Sequence, residues 1–89
     1  MARVFIPTML RELADGNLEL QIDGKNVREI VDLLDAKFPG FKLRIMEDGV
    51  LRSNIVVAVD GETSRLGLLE KLHSDSEVHF IPAIGGGEE

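Results

Sequence analysis

Cysteine is absent from all 89 residues, as are tryptophan and tyrosine, and four phenylalanines are the whole aromatic complement. Without a thiol the chain cannot form a disulfide, hold zinc or an iron–sulfur cluster through thiolates, relay a persulfide, or attack a substrate as a cysteine nucleophile. Any sulfur it handles must be held on another group. Basic residues are also scarce, ten Lys and Arg against sixteen Asp and Glu for a net charge of −6. That balance argues against nucleic acid as a partner, because binding a phosphate backbone needs clustered cations. A basic protein surface is the better electrostatic match. No run approaches the roughly 20 apolar residues that cross a bilayer, and the N-terminus lacks the basic-then-apolar order of a secretory signal. The expected location is the cytosol, with no membrane partner.

What is present fits one compact domain. Arg3-Val4-Phe5-Ile6-Pro7 is short, apolar and β-branched, with a proline suited to a terminating or edge strand. Leu18 to Ile22 alternates apolar and polar residues, and the intervening Asp15-Gly16-Asn17 is turn chemistry, so the chain opens like a β-hairpin. Val27, Ile30, Val31, Leu34 and Phe38 then recur at helical spacing as one apolar stripe. Asn26 is placed to cap that helix with Glu29 reaching back, and Pro39-Gly40 to stop it. Phe41 to Met46 reads equally as a short strand or irregular chain, followed by a turn at Glu47-Asp48-Gly49. Ile55 to Val59 is a nearly continuous apolar strand, expected at the centre of the sheet and closed by the turn Asp60-Gly61. Leu66, Leu68, Leu69 and Leu72 suggest a brief helical turn, and Glu77 to Ile81 a last alternating strand. One helix across one face of a mixed sheet of four to five strands buries that stripe economically, which is the α+β architecture of the β-grasp.

Composition shifts once, at Gly85-Gly86-Gly87-Glu88-Glu89. We expect a folded domain over residues 1–84 and a flexible, exposed tail over 85–89. Three glycines have no Cβ, so such a tail can lie extended in a channel too narrow for other residues. Read without further context, a glycine-rich end is more often a frayed terminus. Other chemistry fares poorly. His73 and His79 have no carboxylate and nucleophile at triad spacing. Glu29, Asp32 and Asp35 share the polar side of the helix and read as a solvated face, so no metal is assigned. The glycines lack the strand-loop-helix setting and Lys-Ser/Thr of a phosphate loop.

The segment Val4 to Leu13, the strand Glu77-Val78-His79-Phe80-Ile81-Pro82-Ala83-Ile84 and the closing glycines together resemble the ubiquitin-like sulfur carriers. These are the small subunit of molybdopterin synthase, the thiazole-synthesis carrier and the cysteine-synthesis carrier. Ile6-Pro7-Thr8-Met9-Leu10-Arg11 with Pro82-Ala83-Ile84 looks most like the cysteine-synthesis branch. The resemblance implies a carrier that is not itself an enzyme and binds no cofactor. An adenylating, E1-like sulfurtransferase spends ATP to join AMP to the terminal glycine carboxyl. Sulfur then displaces AMP to leave a thiocarboxylate, and a sulfur-accepting synthase takes that sulfur into product. Aligned from Phe80, the family's terminal diglycine falls on Gly86-Gly87, with Gly85 in the preceding small position and Gly87 bearing the sulfur. Here Glu88 follows Gly87 and holds its carboxyl in a peptide bond, which implies a precursor trimmed between Gly87 and Glu88. In the cysteine-synthesis branch a zinc metalloprotease of the deubiquitinase type makes such a cut. Ser74-Asp75-Ser76 stands where family members often carry glycine, a change that Asp tolerates in a turn.

Strand alternation suggests a docking face. If Val4 and Ile6 point inward with Val78 and Phe80, then Phe5, Pro7 and Ile81 point to the other face, next to the tail root at Ile84. Carriers of this kind meet their activating enzymes through that surface. The competing classes are a molybdopterin synthase subunit, a protein modifier joined to lysines, and a non-covalent binding module.

Overall fold

The structure is a computed structural model and describes residues 1–82. Ile84 and the tail residues Gly85, Gly86, Gly87, Glu88 and Glu89 lie outside the described residues.

Two strands open the chain, β1 (Ala2–Phe5) and β2 (Glu19–Ile22), separated by a 3-10 turn at Thr8–Leu10. They pair antiparallel with Val4 opposite Leu20. Helix α1 (Val27–Lys37) follows, and its stripe is buried as the spacing predicts: Val27, Ile30, Val31 and Leu34 are fully enclosed, and Phe38 nearly so at the C-cap. Asn26 Oδ1 accepts from Glu29 N at 2.9 Å. Glu29 Oε1 reaches one residue further back than expected and accepts from Lys25 N at 2.9 Å, so the cap closes around the residue before the N-cap.

The stretch left open between strand and irregular chain is a second helix, α2 (Phe41–Ile45). Gly40 at φ 99° turns the chain, and Asp35 Oδ1 accepts from the N–H groups of both Gly40 and Lys42, which supplies a cap from the preceding helix. Phe41 and Ile45, four residues apart, are completely buried. Next come the hairpin β3 (Met46–Glu47) and β4 (Val50–Leu51), then β5 (Ile55–Val59), β6 (Glu62–Thr63), a 3-10 turn at Gly67–Leu69, and β7 (Glu77–Pro82). In that 3-10 turn Leu68 packs inward while Leu66 and Leu69 stay exposed.

The main sheet has the order β2-β1-β7-β5-β6. The central strand is therefore β7, paired parallel to β1 and antiparallel to β5, and the expectation of Ile55 to Val59 at the centre is corrected. The sheet carries α1 on one face only. An apolar run in β5 marks residues covered on the second face as well, Val56 being half-buried and Ala58 8% exposed, rather than a central position. One core joins Val4, Ile6, Val57, Val78 and Phe80 of the sheet to the α1 stripe and to Phe41 and Ile45.

One polar residue is buried in this frame. Asp60 and Gly61 link β5 to β6 with φ 53° and 86°, the left-handed pair that an Asp-Gly turn accommodates. Asp60 Oδ1 accepts from Glu77 N, and Oδ2 accepts from the hydroxyl of Ser76, itself 1% exposed. Ser76 Oγ in turn accepts from His73 N at 2.8 Å. These bonds hold the start of the central strand to the β5–β6 turn.

Candidate functional site at the tail root

The last described residue, Pro82, pairs with Ile55, so the described chain ends in the central strand of the sheet. Beside that end lies an open groove of about 710 Å3. Strand alternation builds it. Val4, Ile6, Val78 and Phe80 are buried, and on the neighbouring positions Phe5 is half-buried and Ile81 is 45% exposed. Phe5 and Ile81 both line the groove. Pro7 lines it too, but it is buried rather than exposed. The reason is local: β1 ends at Phe5, and Pro7 is already the N-cap of the 3-10 turn, its carbonyl accepting from Leu10 N at 2.9 Å, so the strand's two-residue period no longer applies. Ile84, the fourth proposed docking residue, lies outside the described residues, as do Gly85, Gly86 and Gly87.

Two residues complete the apolar wall that alternation alone did not identify. Met9 and Leu18 are 47% and 57% exposed and line the same groove. Leu18 is held there because its carbonyl accepts from Ile6 N at 2.9 Å, extending the β1–β2 pairing beyond the strand. The signal was Met9 within the Ile6 to Arg11 segment, an apolar residue on a turn too short to bury it.

Charge is confined to the rim. Arg11 lines the groove and donates from Nε to the Ile6 carbonyl at 3.3 Å. His79 stacks its ring on Phe5, centroids 4.2 Å apart and planes 4° from parallel, while the Arg3 guanidinium lies 5.8 Å from the Phe5 centroid. Arg3 also pairs with Glu77 and, at 3.7 Å, with Glu19 across the strands. The groove thus offers an apolar floor with a few fixed polar edges, the make-up of a protein-docking surface. It has no nucleophile–base pair. Ser76, the described serine nearest a carboxylate and a histidine, is buried and gives its proton directly to Asp60, with no imidazole between them.

The three acidic helix residues each have a structural partner. Asp32 pairs with Lys42 Nζ at 2.7 Å, Asp35 caps α2, and Glu29 caps α1. Among the described residues no group of three or more His, Asp or Glu side chains is placed to hold a metal ion.

Known proteins share this frame. The chain is 28% identical to the sulfur carrier protein CysO of Mycobacterium tuberculosis, over 94% of this chain and 96% of that one. A chain in the crystal structure of the Amycolatopsis orientalis BexX/CysO complex superposes with a TM-score of 0.90 at 30% identity, covering 98% of this chain and all of that one. The solution structure of small archaeal modifier protein 1 from Methanosarcina acetivorans gives a TM-score of 0.82 at 29% identity, covering 97% and 95%. These neighbours share the ubiquitin-like β-grasp. The ThiS family model matches residues 4–87, nearly the whole sequence, and the chain belongs to the ThiS family.

Proposed function

We propose that this protein is a sulfur carrier of the cysteine-synthesis type, with Gly87 as the group that carries sulfur. The observation that carries the reading is where the family match stops: it runs to Gly87 and leaves Glu88 and Glu89 outside. The likeness to CysO supports the branch. The absence of cysteine makes a terminal carboxyl the group open to this use. A free carboxylate resists nucleophiles until it is made a mixed anhydride. In the proposed sequence the Gly87 carboxylate attacks the α-phosphate of ATP on an E1-like sulfurtransferase, and pyrophosphate leaves. A sulfur nucleophile at the oxidation level of hydrosulfide then displaces AMP, and the resulting thiocarboxylate delivers sulfur to a synthase. Gly85, Gly86 and Gly87 thread the partner's channel, and Phe5, Pro7, Ile81 and Ile84 form the docking face, joined by Met9 and Leu18. No cofactor is bound by the carrier itself. The Amycolatopsis neighbour is found with BexX, which supports a partner-held mode of action.

Because Glu88 follows Gly87, the proposal includes a cut between them by a zinc metalloprotease of the deubiquitinase type. The test compares the full chain with a chain ending at Gly87 in an ATP–pyrophosphate exchange assay with an E1-like sulfurtransferase. Exchange is expected with the shortened chain and not with the full one. Equal exchange by both would overturn the precursor step. A second reading, a modifier joined to lysines, is favoured by the small archaeal modifier neighbour. Mass spectrometry of native material separates the two: a chain ending at Gly87 with one oxygen replaced by sulfur supports the carrier, and isopeptide-linked tails support the modifier.

A further inference from the structure

A second apolar surface is built from other elements. Val50 of β4, with Leu66 and Leu69 around the second 3-10 turn, are 60%, 59% and 69% exposed. Together with Leu51 and Leu68 they line a groove of about 440 Å3 that shares no residue with the tail-root groove. Its rim is cationic. Arg28, in the first turn of α1, and Arg65 both line it, and no carboxylate-bearing residue does. Both arginines are exposed, and among the described residues neither forms an ion pair, whereas Arg3, Lys42 and Arg52 all do. On a chain of net charge −6, two guanidinium groups without an ion-pair partner among the described residues line this apolar groove.

These apolar side chains are held outward by a fixed turn. Ser64 Oγ accepts from Leu66 N and Gly67 N, both at 3.1 Å, and donates to Glu70 Oε1 at 2.6 Å. Leu69 N and Glu70 N close the turn onto the carbonyls of Leu66 and Gly67, and Val27 N donates to the Glu70 carbonyl, which ties the turn to the start of α1. Leu68 anchors it from below, 8% exposed within the core. Large apolar side chains on a preorganised turn lose little conformational freedom when a partner covers them, which is the condition for a contact worth its area.

We propose that this groove docks a protein segment presenting apolar side chains flanked by carboxylates, and that it does so with the tail-root groove left free. The apolar floor takes the side chains, and Arg28 and Arg65 take the carboxylates, each guanidinium being able to bind one in bidentate fashion. A second copy of this chain is a poor occupant, because a two-fold contact centred here brings the arginines of one copy against those of the other. The inference goes beyond the carrier reading, since it uses no residue of the tail. A carrier with two separate faces can be held by one protein while its C-terminal residues occupy another's active site.

The test is a titration of the 15N-labelled full chain with two synthetic peptides, one alternating leucine with glutamate and one alternating leucine with lysine. Saturable amide shifts are expected with the glutamate peptide alone, confined to residues 49–51, 65–69 and the first turn of α1. Arg28→Glu combined with Arg65→Glu should weaken binding by about tenfold or more, as reversal of a charged contact does. Leu69→Ser should weaken it as well. All three side chains are exposed, so an unchanged spectrum elsewhere verifies that the variants fold. Equal shifts with both peptides, shifts at the tail-root groove instead, no shifts, or affinity indifferent to charge reversal would each overturn the proposal. Concentration-dependent shifts of the same amides without peptide would assign the groove to a second copy, which also overturns it.

Discussion

Ser76 is where a single residue departs most from what its local sequence suggests. Ser74-Asp75-Ser76 reads as a surface turn, and for Ser74 and Asp75 it is one, yet Ser76 is 1% exposed. Its acceptor, Asp60, lies 16 residues away, so no local pattern reports the contact. A hydroxyl in this position satisfies two groups at once, the His73 N–H and one Asp60 oxygen. Removing it leaves the part-buried His73 N–H and one Asp60 oxygen without their partner, and such a loss costs about 1 kcal/mol. Ser76→Ala is therefore expected to lower unfolding stability by that amount in urea denaturation, with the tail chemistry unaffected. A change below about 0.5 kcal/mol, the usual range for surface substitutions, would show that the Asp60–Ser76 link is dispensable.

Among the elements, those with a long or strict period were legible. The α1 stripe, the strands β1, β2, β5 and β7, and the Asp-Gly turns all stand where spacing and turn chemistry place them. Other features were not. Helix α2 is five residues long, too short to show a period, and it depends on a cap from Asp35 in the previous helix. The parallel pairing of β1 with β7 joins the two ends of the described chain, and nothing in either strand's own pattern reports its neighbour. Part of the lining of the tail-root groove was legible by alternation. Phe5 and Ile81 obey strand alternation, whereas Pro7, Met9 and Leu18 sit where the strand has given way to a turn. Alternation makes a paired test possible. Ile81→Asp puts a charge on an open position of β7, so folding should survive, and binding to the activating enzyme should fall because the carboxylate must be desolvated in a dry contact. Ile30→Asp buries the same charge in the α1 stripe and should unfold the domain outright. Circular dichroism and a binding assay read the two effects. Unfolding by Ile81→Asp, or unchanged binding in a folded Ile81→Asp protein, would remove the tail-root groove as the docking face.

At the scale of the whole molecule, the proposed carrier function puts stability and reactivity in different parts of the chain. Among the described residues the last member of the core is Phe80, and the proposed chemistry lies seven residues further on at Gly87. That separation yields a prediction that a structural role for the glycines would not share. On the carrier reading Gly86 packs against nothing in the domain, so thermal unfolding of Gly86→Ala, which adds one methyl group, should match wild type to within about 0.5 kcal/mol. In a partner's channel the same methyl group must fit between walls that approach a backbone without Cβ, and a displacement of the neighbouring carboxyl by even a fraction of its reach takes it out of line for attack. Sulfur loading of a Gly86→Ala chain ending at Gly87 should therefore fall sharply at unchanged stability, read by intact mass after incubation with ATP, a sulfur source and the activating enzyme. Loss of stability would show instead that the tail packs against the domain. Full loading at full stability would show that the glycines serve only as a spacer, and the channel reading of Gly85, Gly86 and Gly87 would be abandoned.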